Sequence, residues 1–101
     1  MPGHGLSNDV VGPVWTDGGL ATTAAELARF GDGLHRGLVV SKATVRTMTT
    51  FDRFDTGLGL YPEQFDDYRW IGHSGSYGGF ESELWHEPSH GVTIAVVTNR
   101  D

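Results

Sequence analysis

Apolar residues recur at helical spacing early in the chain. The positions that share this stripe are Ala24, Leu27, Phe30, Gly31 and Leu34. Thr23 and Glu26 form a capping box, which satisfies free backbone N–H groups at the start of a helix. Gly37 suits the position just after a helix end. The pattern predicts a helix over residues 24–36 whose role is core packing.

A second, shorter helix is predicted directly after the first. Residues 38–40 form an extended link, and Ser41 can cap a helix that carries Val45 and Met48 on its inner face. We interpret this helix as scaffold.

The middle of the chain predicts two strands. Residues 56–61 form the first, which Pro62 ends because proline lacks the N–H that a sheet ladder needs. Residues 62–67 then make an acidic turn. Residues 68–74 form the next strand, which leads into a glycine-rich stretch.

The end of the chain carries the strongest hairpin pattern. Residues 80–87 alternate loosely, and residues 88–91 supply a turn before the strand 92–98. That strand is apolar on both faces, which is typical of a strand covered on both sides. The predicted fold class is α+β, with two helices against an antiparallel sheet of about three or four strands.

Composition narrows the function classes. The chain has 101 residues, enough for one domain, and its 15 glycines are about twice the usual share. The net charge is −6 with no basic stripe, so we expect no nucleic-acid partner. The absence of cysteine excludes disulfides and thiol catalysis.

The first residues predict no targeting signal. Residues 1–19 indicate an irregular lead-in anchored by Trp15, without the basic and apolar regions of a signal peptide. No apolar run is long enough to span a membrane, so the chain as written is expected to be cytoplasmic.

His86, Glu87 and His90 lie in a predicted hairpin, where their spacing is weak evidence for a metal, and we expect no metal or cofactor.

The candidate chemistry lies in residues 70–80, where His73, Ser74 and Ser76 are set among four glycines. Glycine lets backbone N–H groups approach a ligand, although a plain tight turn is an alternative. A G-x-S-x-G nucleophile elbow is nearly matched, but its last glycine is replaced by Ser76 and no helix can follow. His73 is a poor base for Ser74 because neighbouring strand residues point to opposite faces.

Three blocks in order resemble one family. They are Gly-Gly-Leu-Ala-Thr-Thr-Ala-Ala-Glu-Leu-Ala-Arg-Phe at 18–30, Thr-Gly-Leu-Gly-Leu at 56–60, and His73-Ser74-Gly75 with the strands that follow it. Together they resemble the C-terminal part of the serine β-lactamase-like family. That family includes class C β-lactamases, D-alanyl-D-alanine carboxypeptidases and esterases, and many members have His-x-Gly in place of the Lys-x-Gly third motif.

The resemblance implies both a fold and a reaction. Residues 1–101 would be a single partial domain of a hydrolase that cleaves amide or ester bonds through an acyl-serine. His73 would take the place of the third-motif cation, and the Ser76 N–H would donate to the oxyanion. Ser74, Gly75 and Tyr77 would contact the substrate, a small molecule or peptide.

The family's nucleophile motif is not present in this sequence. Lys42 is the only lysine, and Val39 precedes it by three residues, so there is no Ser-x-x-Lys. We therefore expect a fragment that is inactive alone; the alternative is a non-catalytic binding module that uses the glycine-rich strand edge. In the family a terminal helix follows strand 92–98 and packs on the sheet, and the sequence given contains no such helix. We therefore expect an apolar face of the sheet that is left exposed unless a homo-oligomer or an N-terminal segment covers it.

Overall fold

The computed structural model describes residues 18–99, so the expected lead-in and its Trp15 anchor lie outside the described residues. Two helices and four strands follow one another in the chain. They are α1 (Ala24–His35), α2 (Lys42–Met48), β1 (Tyr61–Phe65), β2 (Tyr68–Tyr77), β3 (Phe80–Glu87) and β4 (Val92–Thr98). This arrangement confirms the predicted α+β class. Within residues 18–99, no helix has the length and apolarity needed to cross a membrane.

Both helices begin at the predicted caps. The Thr23 side chain accepts the Glu26 backbone N–H at 3.1 Å, and the Ser41 hydroxyl accepts that of Thr44 at the same distance. Past the end of α1, Gly37 has a φ of 80°, a left-handed conformation that glycine adopts without steric cost. Contacts between residues close in sequence therefore fix where both helices begin and where α1 ends.

The strands form one antiparallel sheet in the order β1-β2-β3-β4. A two-residue turn at Gly78 and Gly79, both with positive φ, joins β2 to β3. The predicted turn at residues 88–91 joins β3 to β4. Strand β2 is three residues longer than predicted, because it continues through the glycine-rich stretch to Tyr77.

The predicted strand at residues 56–61 is wrong. Residues 56–60 form a loop, held to the end of α2 by a hydrogen bond from the Leu58 N–H to the Met48 carbonyl at 3.1 Å. The strand instead runs through Pro62, in the region predicted to be an acidic turn. Because β1 is an edge strand, the missing N–H of Pro62 is tolerated there.

The sheet has a helix face and an open face. Helix α1 packs on β3 and β4, and Gly31 permits close approach, since a Cβ there would lie 2.8 Å from Leu84 Cδ1. On the open face Val92, Ile94 and Val96 are 44%, 44% and 49% exposed. The described residues thus cover one side of the sheet and leave apolar side chains uncovered on the other.

Two histidines join α1 to the sheet. The rings of His35 and His86 stack with centroids 4.2 Å apart, and His86 Nδ1 is hydrogen-bonded to the Thr93 hydroxyl at 2.8 Å. Burial, and then the nearby His86, lower the pKa of His35 to about 4. Burial also lowers the pKa of His86, although Asp32 and Glu87 oppose that shift. The pair is therefore uncharged at neutral pH.

The stacked pair predicts acid destabilisation. Unfolded histidines protonate near pH 6.5, whereas burial lowers the pKa of both folded rings, that of His35 to about 4. The free energy of unfolding should therefore fall as the pH drops below about 6.5. The pKa of Glu87 is about 2 in the folded chain and 4.5 when unperturbed, so its protonation lowers the free energy of unfolding only below pH 4.5. Urea unfolding between pH 7 and 4.5 measures the effect. His86→Gln should flatten the profile, while His73→Gln, at an exposed site, should not; a flat wild-type profile would refute the role of the pair.

Candidate functional site at the free edge of β2

Strand β2 extends beyond the end of its neighbour β1. Pairing between them ends where Tyr61 faces Gly72, whereas β2 stays paired with β3 as far as Tyr77. Within residues 18–99, positions 73–77 therefore have a strand on one side and an open edge on the other. This free edge contains every predicted site residue.

Backbone alternation directs two amides outward at the free edge. In an antiparallel pair, the peptide groups of successive residues point alternately toward and away from the partner strand. The Ser74 N–H donates to the Tyr61 hydroxyl at 3.2 Å, on the side away from β3. The N–H of Ser76, two residues on, points the same way, while Gly75 faces Ser82 on β3. The edge thus offers the Ser76 N–H as a hydrogen-bond donor.

Tyr61 organises the start of this edge and was not among the predicted site residues. Its hydroxyl also lies 2.8 Å from Ser74 Oγ, and its ring packs against His73 and Trp85 with centroids 5.0 Å and 5.4 Å away. Sequence inspection missed it because its role depends on pairing with Gly72 across the sheet.

His73 is exposed and lies on the helix face. Its Nδ1 is hydrogen-bonded to the Ser74 carbonyl oxygen. Because a carbonyl oxygen only accepts, Nδ1 carries the proton, which leaves Nε2 to meet a ligand. The imidazole is thus oriented by the backbone of its own strand.

The two serine side chains lie together on the open face. Ser74 and Ser76 line a groove of about 280 Å³ with Glu81, Glu83, Val96 and Thr98. Gly75 lies between them, and a Cβ there would be 2.8 Å from Ser82 Oγ. Tyr77 ends the strand on the same face as His73 and is half exposed. The five predicted residues are therefore brought to one edge but divided between two faces.

The residues considered for a metal have structural roles. Glu87 accepts the backbone N–H groups of Ser89 and His90 at 3.2 Å and 2.8 Å, and it also binds the Ser89 hydroxyl. These bonds, the Ser89 hydroxyl above all, lower the pKa of Glu87 to about 2. His86 packs against α1 instead. In the part of the chain that is described, no three His, Cys, Asp or Glu side chains are grouped as metal ligands.

Comparison with known proteins identifies the family of the chain. A family model described as Beta-lactamase matches residues 2–101. The chain belongs to the beta-lactamase family. No curated protein sequence matches this beta-lactamase-family chain.

A solved structure shares the fold. D-amino acid amidase from Ochrobactrum anthropi SV3, complexed with D-phenylalanine, superposes with a TM-score of 0.66 at 18% sequence identity. The match covers 77% of this chain and 29% of the amidase. The two helices and four strands are thus a fragment of the β-lactamase/transpeptidase-like fold, and the chain spans less than a third of the amidase.

Proposed function

We propose that this beta-lactamase-family chain supplies the third-motif side of a serine hydrolase site, for cleavage of an amide or ester bond through an acyl-serine. The observation that carries the proposal is the free edge of β2, where the Ser76 N–H points away from β3. An N–H held in a rigid strand suits an oxyanion, since it needs no reorganisation as negative charge develops.

Each residue of the edge has a role in this proposal. The Ser76 N–H donates to the oxyanion, and His73 Nε2 contacts the leaving group or a substrate carboxylate. Ser74 offers a hydroxyl, and Gly75 keeps the backbone accessible. Tyr77 forms a wall of the cleft. Loss of one oxyanion donor typically lowers the rate about 10²- to 10³-fold, so the site needs a second donor to be efficient.

The nucleophile must come from elsewhere in this account. No Ser-x-x-Lys is present in the 101 residues, and the chain spans 29% of the structurally similar amidase. We place the acylated serine and its lysine in sequence outside these residues. The isolated chain would then bind a substrate without turning it over. A non-catalytic module that binds carboxylates at the same edge would behave in the same way.

The substrate class follows the family in this proposal. The family resemblance implies cleavage of amide or ester bonds, and the similar amidase was solved in complex with D-phenylalanine. We propose small-molecule or peptidoglycan-like amides and esters as substrates. With His73 where a lactamase has lysine, efficient β-lactam hydrolysis is not expected.

Intact mass spectrometry of the purified chain tests the missing nucleophile. After incubation with a fluorophosphonate, and separately with a penicillin, we expect no covalent adduct. We also expect no nitrocefin turnover, because no serine in the sequence stands in a Ser-x-x-Lys motif, whose lysine would activate it. An adduct on Ser74 or Ser76, or turnover abolished by His73→Ala, would show that the chain is itself a hydrolase.

We further propose that the open face is covered in solution by a second copy of the chain or by an N-terminal segment. Val92, Ile94 and Val96 form an exposed apolar row there, which is unfavourable in water. The described residues offer no element that packs on this row.

Sedimentation of the full chain over a concentration series tests the second copy. If two open faces pair, the chain should dimerise, and Ile94→Lys should shift it to monomer because a charge in that contact is costly. Leu58→Lys, at an exposed residue of the 56–60 loop, is the matched control and should leave the dimer intact. A wild-type monomer at high concentration would rule out self-association.

A further inference from the structure

A cavity of about 390 Å³ lies between the two helices and the helix face of the sheet. Its walls are mainly apolar, and the side chains that define it are Phe30, Leu34, Val39, Met48, Leu60 and Leu84. Leu34 and Leu60 are buried at its base, whereas Phe30 and Val39 are half exposed at its rim. Within residues 18–99, the cavity is therefore open at one side.

Three of the four polar side chains that line the cavity contact one another, and the fourth is His73. His86 binds the Thr93 hydroxyl and stacks on His35, and all three residues line the cavity. The lowered pKa of each histidine keeps both rings uncharged at neutral pH. Water finds few partners in such a space, whereas an apolar group gains contact with nearly every wall.

The volume suits a small organic group. Close-packed protein interiors contain few voids larger than a water molecule, so a space of this size is unusual for a core. An apolar cavity of about 150 Å³ is enough to bind benzene, and ligand pockets begin near 300 Å³. At about 390 Å³ the cavity exceeds both values, so it has room for a single aromatic ring with an aliphatic tether.

The cavity adjoins the candidate site. His73 lines it, and Ser76 is three residues farther along β2, which is about 10 Å at the rise of a strand. A ring in the cavity, tethered through several single bonds, can thus place a carbonyl at the Ser76 N–H.

We propose that this cavity binds the apolar end of the substrate, an aromatic ring or branched aliphatic group, while the scissile carbonyl lies at the free edge of β2. The inference rests on the proposed function for the position of the carbonyl. Occupation of the cavity itself does not depend on catalysis.

NMR titration of the full 101-residue chain tests the proposal without turnover. The probes are 4-phenylbutyramide, butyramide as the matched amide without a ring, and toluene as the ring without an amide. Toluene and 4-phenylbutyramide should saturably shift the methyl signals of Leu34, Leu60 and Leu84. Only 4-phenylbutyramide should also shift the Ser76 amide at the same concentrations, because only that probe links ring to carbonyl.

Filling the cavity should remove binding. Val39→Trp places a ring at the rim and should weaken 4-phenylbutyramide binding at least about tenfold. Leu20→Trp adds the same ring at an exposed residue that does not line the cavity and should leave binding unchanged. If Val39→Trp does not give a folded spectrum, Met48→Trp fills the cavity from α2.

The outcomes separate the cavity from the proposed function. Equal shifts of the Ser76 amide with both amides, and none at the cavity methyls, would overturn the cavity while leaving the edge as an amide-binding site. Toluene in the cavity without any shift of Ser76 by 4-phenylbutyramide would overturn the link to the substrate. No shift with any probe would refute the cavity as a binding site and would count against the edge.

Discussion

The pairing of Tyr61 with Gly72 is the constraint on which the site depends. A Cβ at Gly72 would fall on the Leu84 carbonyl oxygen and against the Trp85 ring, so only glycine permits this approach of β2 to β3. Pairing with β1 ends at this position, and the peptide groups beyond it are turned outward by the alternation of the ladder. The free edge therefore arises from strand length and register, and the Tyr61 hydroxyl only binds its first outward-facing amide, that of Ser74.

The helix layer has a second consequence for the same edge. Gly31 brings α1 close to the sheet near Leu84, while the rings of His35, at the end of α1, and His86, on β3, stack against each other. The space that remains beneath α2 is the apolar cavity, and His73 borders it. The side chains that line the cavity therefore belong both to the packing of the helices on the sheet and to the surroundings of the free edge of β2.

Sequence was a good guide wherever structure is local. Caps such as Thr23 and Ser41 and the turn at residues 88–91 act within a few residues, so both helices and the hairpin of β3 and β4 were predicted. Strand β1 was misplaced because Pro62 ends a central strand but not an edge strand, and edge position is a property of the whole sheet. The site residues were chosen by family resemblance, whereas Tyr61 and the outward direction of the amides follow from cross-strand register, which periodicity does not reveal.

Amide hydrogen exchange at the end of β2 tests the central claim most directly. If the free edge is as described, the Ser76 amide exchanges rapidly, while the amides of Gly75 and Tyr77, which face β3, are protected. Rapid exchange at Gly75 with protection at Ser76 would mean that the ladder alternates the other way. The Ser76 N–H would then be bonded to β3, and it could not serve as an oxyanion donor.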